Sequence, residues 1–261
     1  MPIAELNGQG IYFEGSGGSG RPIILGHDFL MDGRMFDLQV EALAPEFRVI
    51  RWDARALGRT RWDGKPFTLW DSASDCIALL DHLGIDEAVV GGMSLGGYCA
   101  LRAALRFPDR VKALVLMSTR GTSDDDDAKD IYMDLARIWS AYGPIEPVVH
   151  ILADPFLGDP RYYAPWLDRW RLLPASNYLA ATRSLVERDD ISHRLREIAC
   201  PAIVFHGTED TGIPASDGEE LHYSLPGSVG FVPVPGASHA ANLTHPELIH
   251  PPLIEFLRSF A

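Results

Sequence analysis

A chain of 261 residues, 46% hydrophobic and 23% charged, has the size and composition of one globular domain with an insertion. Its 23 Lys and Arg against 36 Asp and Glu give a formal charge of −13. That balance argues against nucleic acid or an anionic membrane surface as a partner, because both need clustered cations; it leaves a small-molecule substrate open.

The first ten residues hold no basic segment followed by an apolar stretch, and no run of about eighteen apolar residues occurs, so neither a signal peptide nor a spanning helix is expected. Cys76, Cys99 and Cys200 are far apart and offer no zinc spacing. They read as small buried hydrophobes of a reduced, cytoplasmic protein, and no metal or other cofactor is expected. Nothing in the sequence fixes an oligomeric state.

In chain order, two alternating runs around Asn7-Gly8 predict a hairpin. A flexible Gly/Ser turn over 15–20 leads into a strand at 22–26, and 47–52 (FRVIRW) reads as another. An apolar stripe predicts a helix over 71–83, then a strand at 87–93, a helix over 94–107 and a strand at 111–117. The alternation stops between about 119 and 199, where patterns such as IYMDLARIWSAYG and SNYLAATRSLVERDD are helical. Strands return at 201–206 and 229–234, and a helix from about Pro246 ends the chain. Short, continuous apolar strands between amphipathic helices predict an α/β fold, a mostly parallel eight-stranded sheet flanked by helices. The division expected is a core of 1–119 and 200–261, with 120–199 as a helical cap, or lid, inserted after the sixth strand. Such a cap lies over the strand ends where α/β sites form. Its tryptophans, Trp139 and Trp166 in particular, are candidates to line an apolar substrate pocket, with Phe156 and Tyr142 as further ones.

Gly92-Met93-Ser94-Leu95-Gly96 is G-x-S-x-G between an apolar strand and a helix rich in small residues. This spacing suits a sharp strand-to-helix turn that lifts a serine hydroxyl above the sheet, with glycines where a Cβ would collide with backbone. The Leu95 N–H, at the helix start behind the serine, suits an oxyanion. A serine hydroxyl needs a base, and imidazole has the suitable pKa. Among nine histidines, His239 follows an apolar strand on the loop Pro235-Gly236-Ala237-Ser238. Asp210, at the end of PAIVFHGTED, is the acid expected to orient it; Glu209 is adjacent and chemically capable. The run 124–127 (DDDD) also follows a strand, and reads as a solvated helix start.

The order Ser94, Asp210, His239 resembles the α/β-hydrolase superfamily along almost the whole chain. The segments His27-Asp28-Phe29, Asp53-Ala54-Arg55-Ala56-Leu57-Gly58-Arg59-Thr60, Gly207-Thr208-Glu209-Asp210 and Gly236-Ala237-Ser238-His239 resemble its esterase, lactonase and cofactor-free haloperoxidase branch, including 3-oxoadipate enol-lactonase-like proteins. The resemblance implies a second oxyanion donor, the Phe29 N–H. Asp28, Ala56 and Ser238 each stand where that branch customarily has Gly. Together the residues and the resemblance imply a serine hydrolase that cleaves a carboxylic ester or lactone of a small, largely apolar substrate through an acyl-enzyme. Two alternatives remain open: hydrolysis of a carbon–carbon bond in a diketone-like substrate, and a ligand-binding receptor with little turnover.

Overall fold

The computed structural model describes residues 2–260; Met1 and Ala261, the outer ends of the expected core, lie outside the described residues. The chain opens with β1 (Ile3–Leu6) and β2 (Gln9–Gly15), paired antiparallel. Asn7 and Gly8 between them both have positive φ, 49° and 78°, as a two-residue type I′ hairpin requires. Then follow β3 (Arg21–Gly26), α1 (Asp37–Leu43), β4 (Phe47–Trp52), α2 (Leu69–His82), β5 (Ala88–Met93), α3 (Leu95–Arg106) and β6 (Val111–Met117). Four helices come before the next strand: α4 (Asp126–Tyr142), α5 (Glu146–Leu157), α6 (Tyr163–Arg171) and α7 (Ala175–Val186). The chain closes with β7 (Ala202–Gly207), α8 (Ala215–Ser224), β8 (Ser228–Val234), the short α9 (Ala241–Thr244) and α10 (Pro246–Phe260).

The strands form one eight-stranded sheet in the order β1-β2-β4-β3-β5-β6-β7-β8. β2 runs antiparallel to β1 and β4, and the pairs from β4 to β8 are parallel. Every residue of β5 and β7 is buried, the pattern of interior parallel strands covered on both faces. Helices α2 and α3 pack on each other, as do α1 and α10. A capping box starts α2: the Thr68 hydroxyl accepts from Asp71 N–H, and the Asp71 carboxylate accepts from Thr68 N–H at 2.7 Å. Helices α1 and α8, too short to carry a strong apolar stripe, were not among the predicted elements.

Cys76 and Cys99 are buried, whereas Cys200 is only half-buried at the turn into β7, so the expectation of three core cysteines holds for two. Among the described residues no helix is long and apolar enough to cross a membrane.

Candidate active site

The carboxyl ends of β3, β5, β6, β7 and β8 bring the candidate residues together. Ser94 joins β5 directly to α3, with φ 46° and ψ −104°, a conformation that L-residues rarely adopt. The turn needs its glycines. A Cβ on Gly96 would stand 1.9 Å from Gly26 O, and one on Gly92 2.4 Å from the same oxygen. The chain therefore passes tightly over β3, and the Ser94 N–H is pinned to Met117 O at 2.8 Å.

His239 lies on the loop between β8 and α9, its carbonyl accepting from the Ser118 hydroxyl at 2.8 Å. Its Nδ1 donates to Asp210 Oδ2 at 2.6 Å. Asp210 Oδ1 accepts from the N–H groups of Gly212 and Ile213, each at 2.9 Å. Burial would push the Asp210 carboxyl up, but the His239 charge beside it and these hydrogen bonds hold it well below the usual carboxylate range. Burial likewise lowers His239, yet the Asp210 and Asp28 carboxylates outweigh it and push the imidazole up to about 10. Glu209, the chemically equivalent neighbour of Asp210, is exposed.

Ser94 and His239 line the same cavity of about 340 Å³, although no hydrogen bond joins them among the described residues. Apolar walls come from Phe29, Tyr132, Phe156, Leu185 and Ile213. Phe156, from α5, sets its ring edge-on to the His239 imidazole, centroids 5.5 Å apart. Two expected pocket residues are elsewhere. Trp139 is buried behind the wall, its ring tilted against Tyr178 with centroids 4.4 Å apart, and Tyr178 in turn packs on Phe29. Trp166 is buried under the Arg169 guanidinium, 4.5 Å from the ring centroid. Neither lines the cavity, because the aromatic content of a segment does not say which way its rings face. Tyr142 is exposed.

The loop carrying Phe29 is braced from below. His27 Nδ1 donates to Asp28 O at 2.7 Å, and its Nε2 accepts from Ala54 N–H at 2.9 Å. Asp53 accepts from Gly33 N–H and Arg59 N–H, each at 2.8 Å. Of the three positions where glycine is customary, Ala56 keeps the glycine-like backbone, with φ 60°. Ser238 does not need it; its side chain instead packs against Gly158 at the end of α5. Asp28 turns inward, its Oδ1 accepting from Phe29 N–H at 2.6 Å.

Three features escaped the sequence. His206 in β7 is wholly buried, donating from Nε2 to Ile213 O at 2.8 Å with Asp210 Oδ2 at 3.3 Å, so it braces the acid from behind. Arg120 and Asp124 line the cavity. Asp124, expected to be solvated, accepts from Arg188 Nη2 at 2.9 Å and pairs with Arg120, while Asp125 is the residue that caps α4, accepting from Ala128 N–H at 2.8 Å. The one available signal was position: Arg120 lies just past the carboxyl end of β6.

Comparison with known proteins agrees with this architecture. Residues 21–142 match the α/β-hydrolase fold family. The chain has the α/β-hydrolase fold. It is 27% identical over 258 residues to a Caulobacter sp. (strain K31) protein provisionally named carbamate hydrolase RutD, covering 95% of this chain and 96% of that one. A thermophilic esterase from Thermogutta terrifontis superposes with a TM-score of 0.87 at 28% identity, covering 99% of this chain and 97% of that one. The enol-lactonase of Burkholderia xenovorans LB400 superposes with a TM-score of 0.90 at 24% identity, covering 98% and 100%, a likeness of fold.

Proposed function

We propose that this α/β hydrolase is a serine hydrolase that cleaves a carboxylic ester or lactone of a small, largely apolar substrate through an acyl-enzyme on Ser94. The observation that carries the reading is the 2.6 Å contact of His239 Nδ1 with the ionised Asp210, in the cavity that Ser94 lines from its strained turn. That contact fixes the tautomer and leaves Nε2 to serve the serine. His239 takes the Ser94 proton, Oγ bonds to the carbonyl carbon, and the carbonyl π pair moves onto oxygen. The N–H groups of Phe29 and Leu95 receive that oxyanion, Leu95 from the start of α3 where the helix dipole adds positive potential. The leaving oxygen takes the proton from His239, and a water activated by the same imidazole releases the acid.

The helices between β6 and β7 serve in this reading as a lid: Tyr132 and Phe156 come from them and face the reacting residues. The cavity volume suits a small ligand. Its walls are apolar near His239, with Arg120 and Asp124 supplying a polar patch.

A second reading, a ligand-binding receptor with little turnover, draws support from Asp28, which already occupies the Phe29 donor. The deciding experiment is a hydrolysis panel of p-nitrophenyl esters, lactones, carbamates and diketones, run beside Ser94→Ala. Ester or lactone turnover that disappears in Ser94→Ala supports the hydrolase. Tight ligand binding without turnover favours the receptor, and turnover confined to diketones favours carbon–carbon cleavage.

A further inference from the structure

Asp28 sits in the reacting centre with its charge only partly compensated. The side chain is wholly buried. Oδ1 accepts from Phe29 N–H at 2.6 Å. Oδ2 has no hydrogen-bond partner among the described residues, and lies 3.6 Å from His239 Nε2. A buried carboxylate oxygen without a donor is costly unless a cation stands near it, and the imidazolium form of His239 is the cation available. One carboxylate thus places one oxygen on an oxyanion donor and the other beside the reactive nitrogen of the base. A carboxylic acid product leaving Ser94 would take the same two positions.

We propose that Asp28 is an internal product mimic: its carboxylate fills the oxyanion subsite of the resting enzyme, so that turnover requires its displacement by a neutral carbonyl substrate, and anionic ligands are refused. The inference rests on the hydrolase reading. It deepens it by naming the residue that sets which ligand charge the subsite accepts. Each half of the attack on an ester meets Asp28. Proton transfer from Ser94 needs Nε2 unprotonated, whereas the neighbouring carboxylate favours its protonated form. Charge developing on the carbonyl oxygen needs the Phe29 N–H, which is engaged, and would build beside an anion. The same repulsion bars a carboxylate product from rebinding.

The charged and titratable groups around the imidazole are Asp210 and Asp28, with His206 behind Asp210. Arg120, Asp124, Asp125, Tyr98 and Tyr132 also line the cavity. Among the described residues, Asp28 alone stands at the Nε2 side within ion-pair distance.

The test compares wild type with Asp28→Gly, which empties the position, and Asp28→Asn, which keeps its shape and removes the charge. Three quantities are measured: kcat/KM for p-nitrophenyl butyrate, affinity for phenylboronic acid by calorimetry, and the titration of His239 by 15N NMR. Loss of one oxyanion donor costs about 10²–10³ in kcat in serine hydrolases. Freeing the Phe29 donor in Asp28→Gly should therefore raise kcat/KM at least about tenfold, and tighten the boronic acid, which becomes a tetrahedral anion on Ser94, by a similar factor. Asp28→Asn should lower the His239 titration midpoint and also raise kcat/KM. Folded variants no faster than a wild type that does hydrolyse the ester, or an unmoved His239 midpoint, would overturn the Asp28 proposal and leave the hydrolase reading standing. Absence of hydrolysis and of boronic acid binding in every folded variant would overturn both.

Discussion

His239 Nδ1 reaches Asp210 Oδ2 at 2.6 Å across 29 residues of sequence, joining the loop after β8 to the loop after β7. The contact makes stability depend on pH in two directions. His239 is raised from 6.5 in the unfolded chain to about 10, so the stability it contributes is whole below pH 6.5 and is lost as pH rises through about 10. Asp210 is lowered from 3.8, so its contribution is present above that value and lost as pH falls below it. Between pH 3.8 and 6.5 both act. Chemical denaturation of wild type against His239→Gln should show a stability difference that shrinks above pH 6.5, by up to about 1.4 kcal/mol for each pH unit. A difference flat from pH 6 to 10 would show that the imidazole is not held protonated in the folded protein. The same shift predicts that kcat/KM climbs with pH over this range, as the base loses its proton.

The turn at Ala56 carries a backbone strain that the sequence advertises. With φ 60° and no exposed surface, Ala56 occupies the left-handed region at a site where glycine is customary. Ala56→Gly should stabilise the protein by about 0.5–1 kcal/mol, since the penalty for an L-residue there exceeds the entropy that glycine adds to the unfolded chain. Thermal denaturation should show a rise of about 1–4 °C. A lower melting temperature would mean that the Ala56 methyl contributes more by packing than its backbone costs.

Asp124 holds two arginines, one of them buried. It pairs with Arg188, whose side chain is 1% exposed, and with Arg120, which also reaches Asp217 at 2.7 Å. Asp124→Asn leaves the Arg188 charge buried and should cost about 3 kcal/mol in unfolding free energy by urea titration. A loss below about 0.5 kcal/mol would show the ion pair to be screened like a surface pair.

Much of the fold was legible because its strands are short, continuous apolar runs and its helices carry stripes. Strands β4 and β6 fall where their apolar runs begin and end, and β1 and β2 meet at the Asn7-Gly8 turn that their spacing demanded. The candidate triad was legible for the same reason: each member sits at a strand end, and a strand end can be read locally. Pairings across long stretches could not be. Asp124 meets Arg188 across 64 residues, and a run of four aspartates gives no local sign that its first member turns inward while the second caps a helix. His206 was missed because a histidine inside an apolar strand has no pattern of its own. Asp28 was visible as a departure from custom, but whether its carboxyl pointed inward depended on a rotamer.

The cavity wall separates two aromatic residues that composition alone treats alike. Phe156 touches the His239 ring and lines the cavity, whereas Trp139 lies behind Tyr178 with its Nε1 unpartnered among the described residues. Phe156→Ala should raise KM for a small ester by roughly tenfold, the loss of one substantial apolar contact. Trp139→Phe should leave KM within about twofold, because the ring does not meet substrate and its N–H satisfies no partner. Steady-state kinetics on both variants would check this, and the reverse ranking would place the substrate on the other side of Tyr178.

In the proposed mechanism Ser94 is the nucleophile and His239 the group that activates it. Intact-mass and peptide-mapping spectrometry after reaction with a fluorophosphonate tests it most directly. One adduct per chain is expected, located on Ser94, absent in Ser94→Ala and formed at least about a thousandfold more slowly in His239→Gln. A folded protein that takes no label at any pH from 6 to 10, or takes it on another residue with Ser94 unmodified, would rule out Ser94 as the nucleophile.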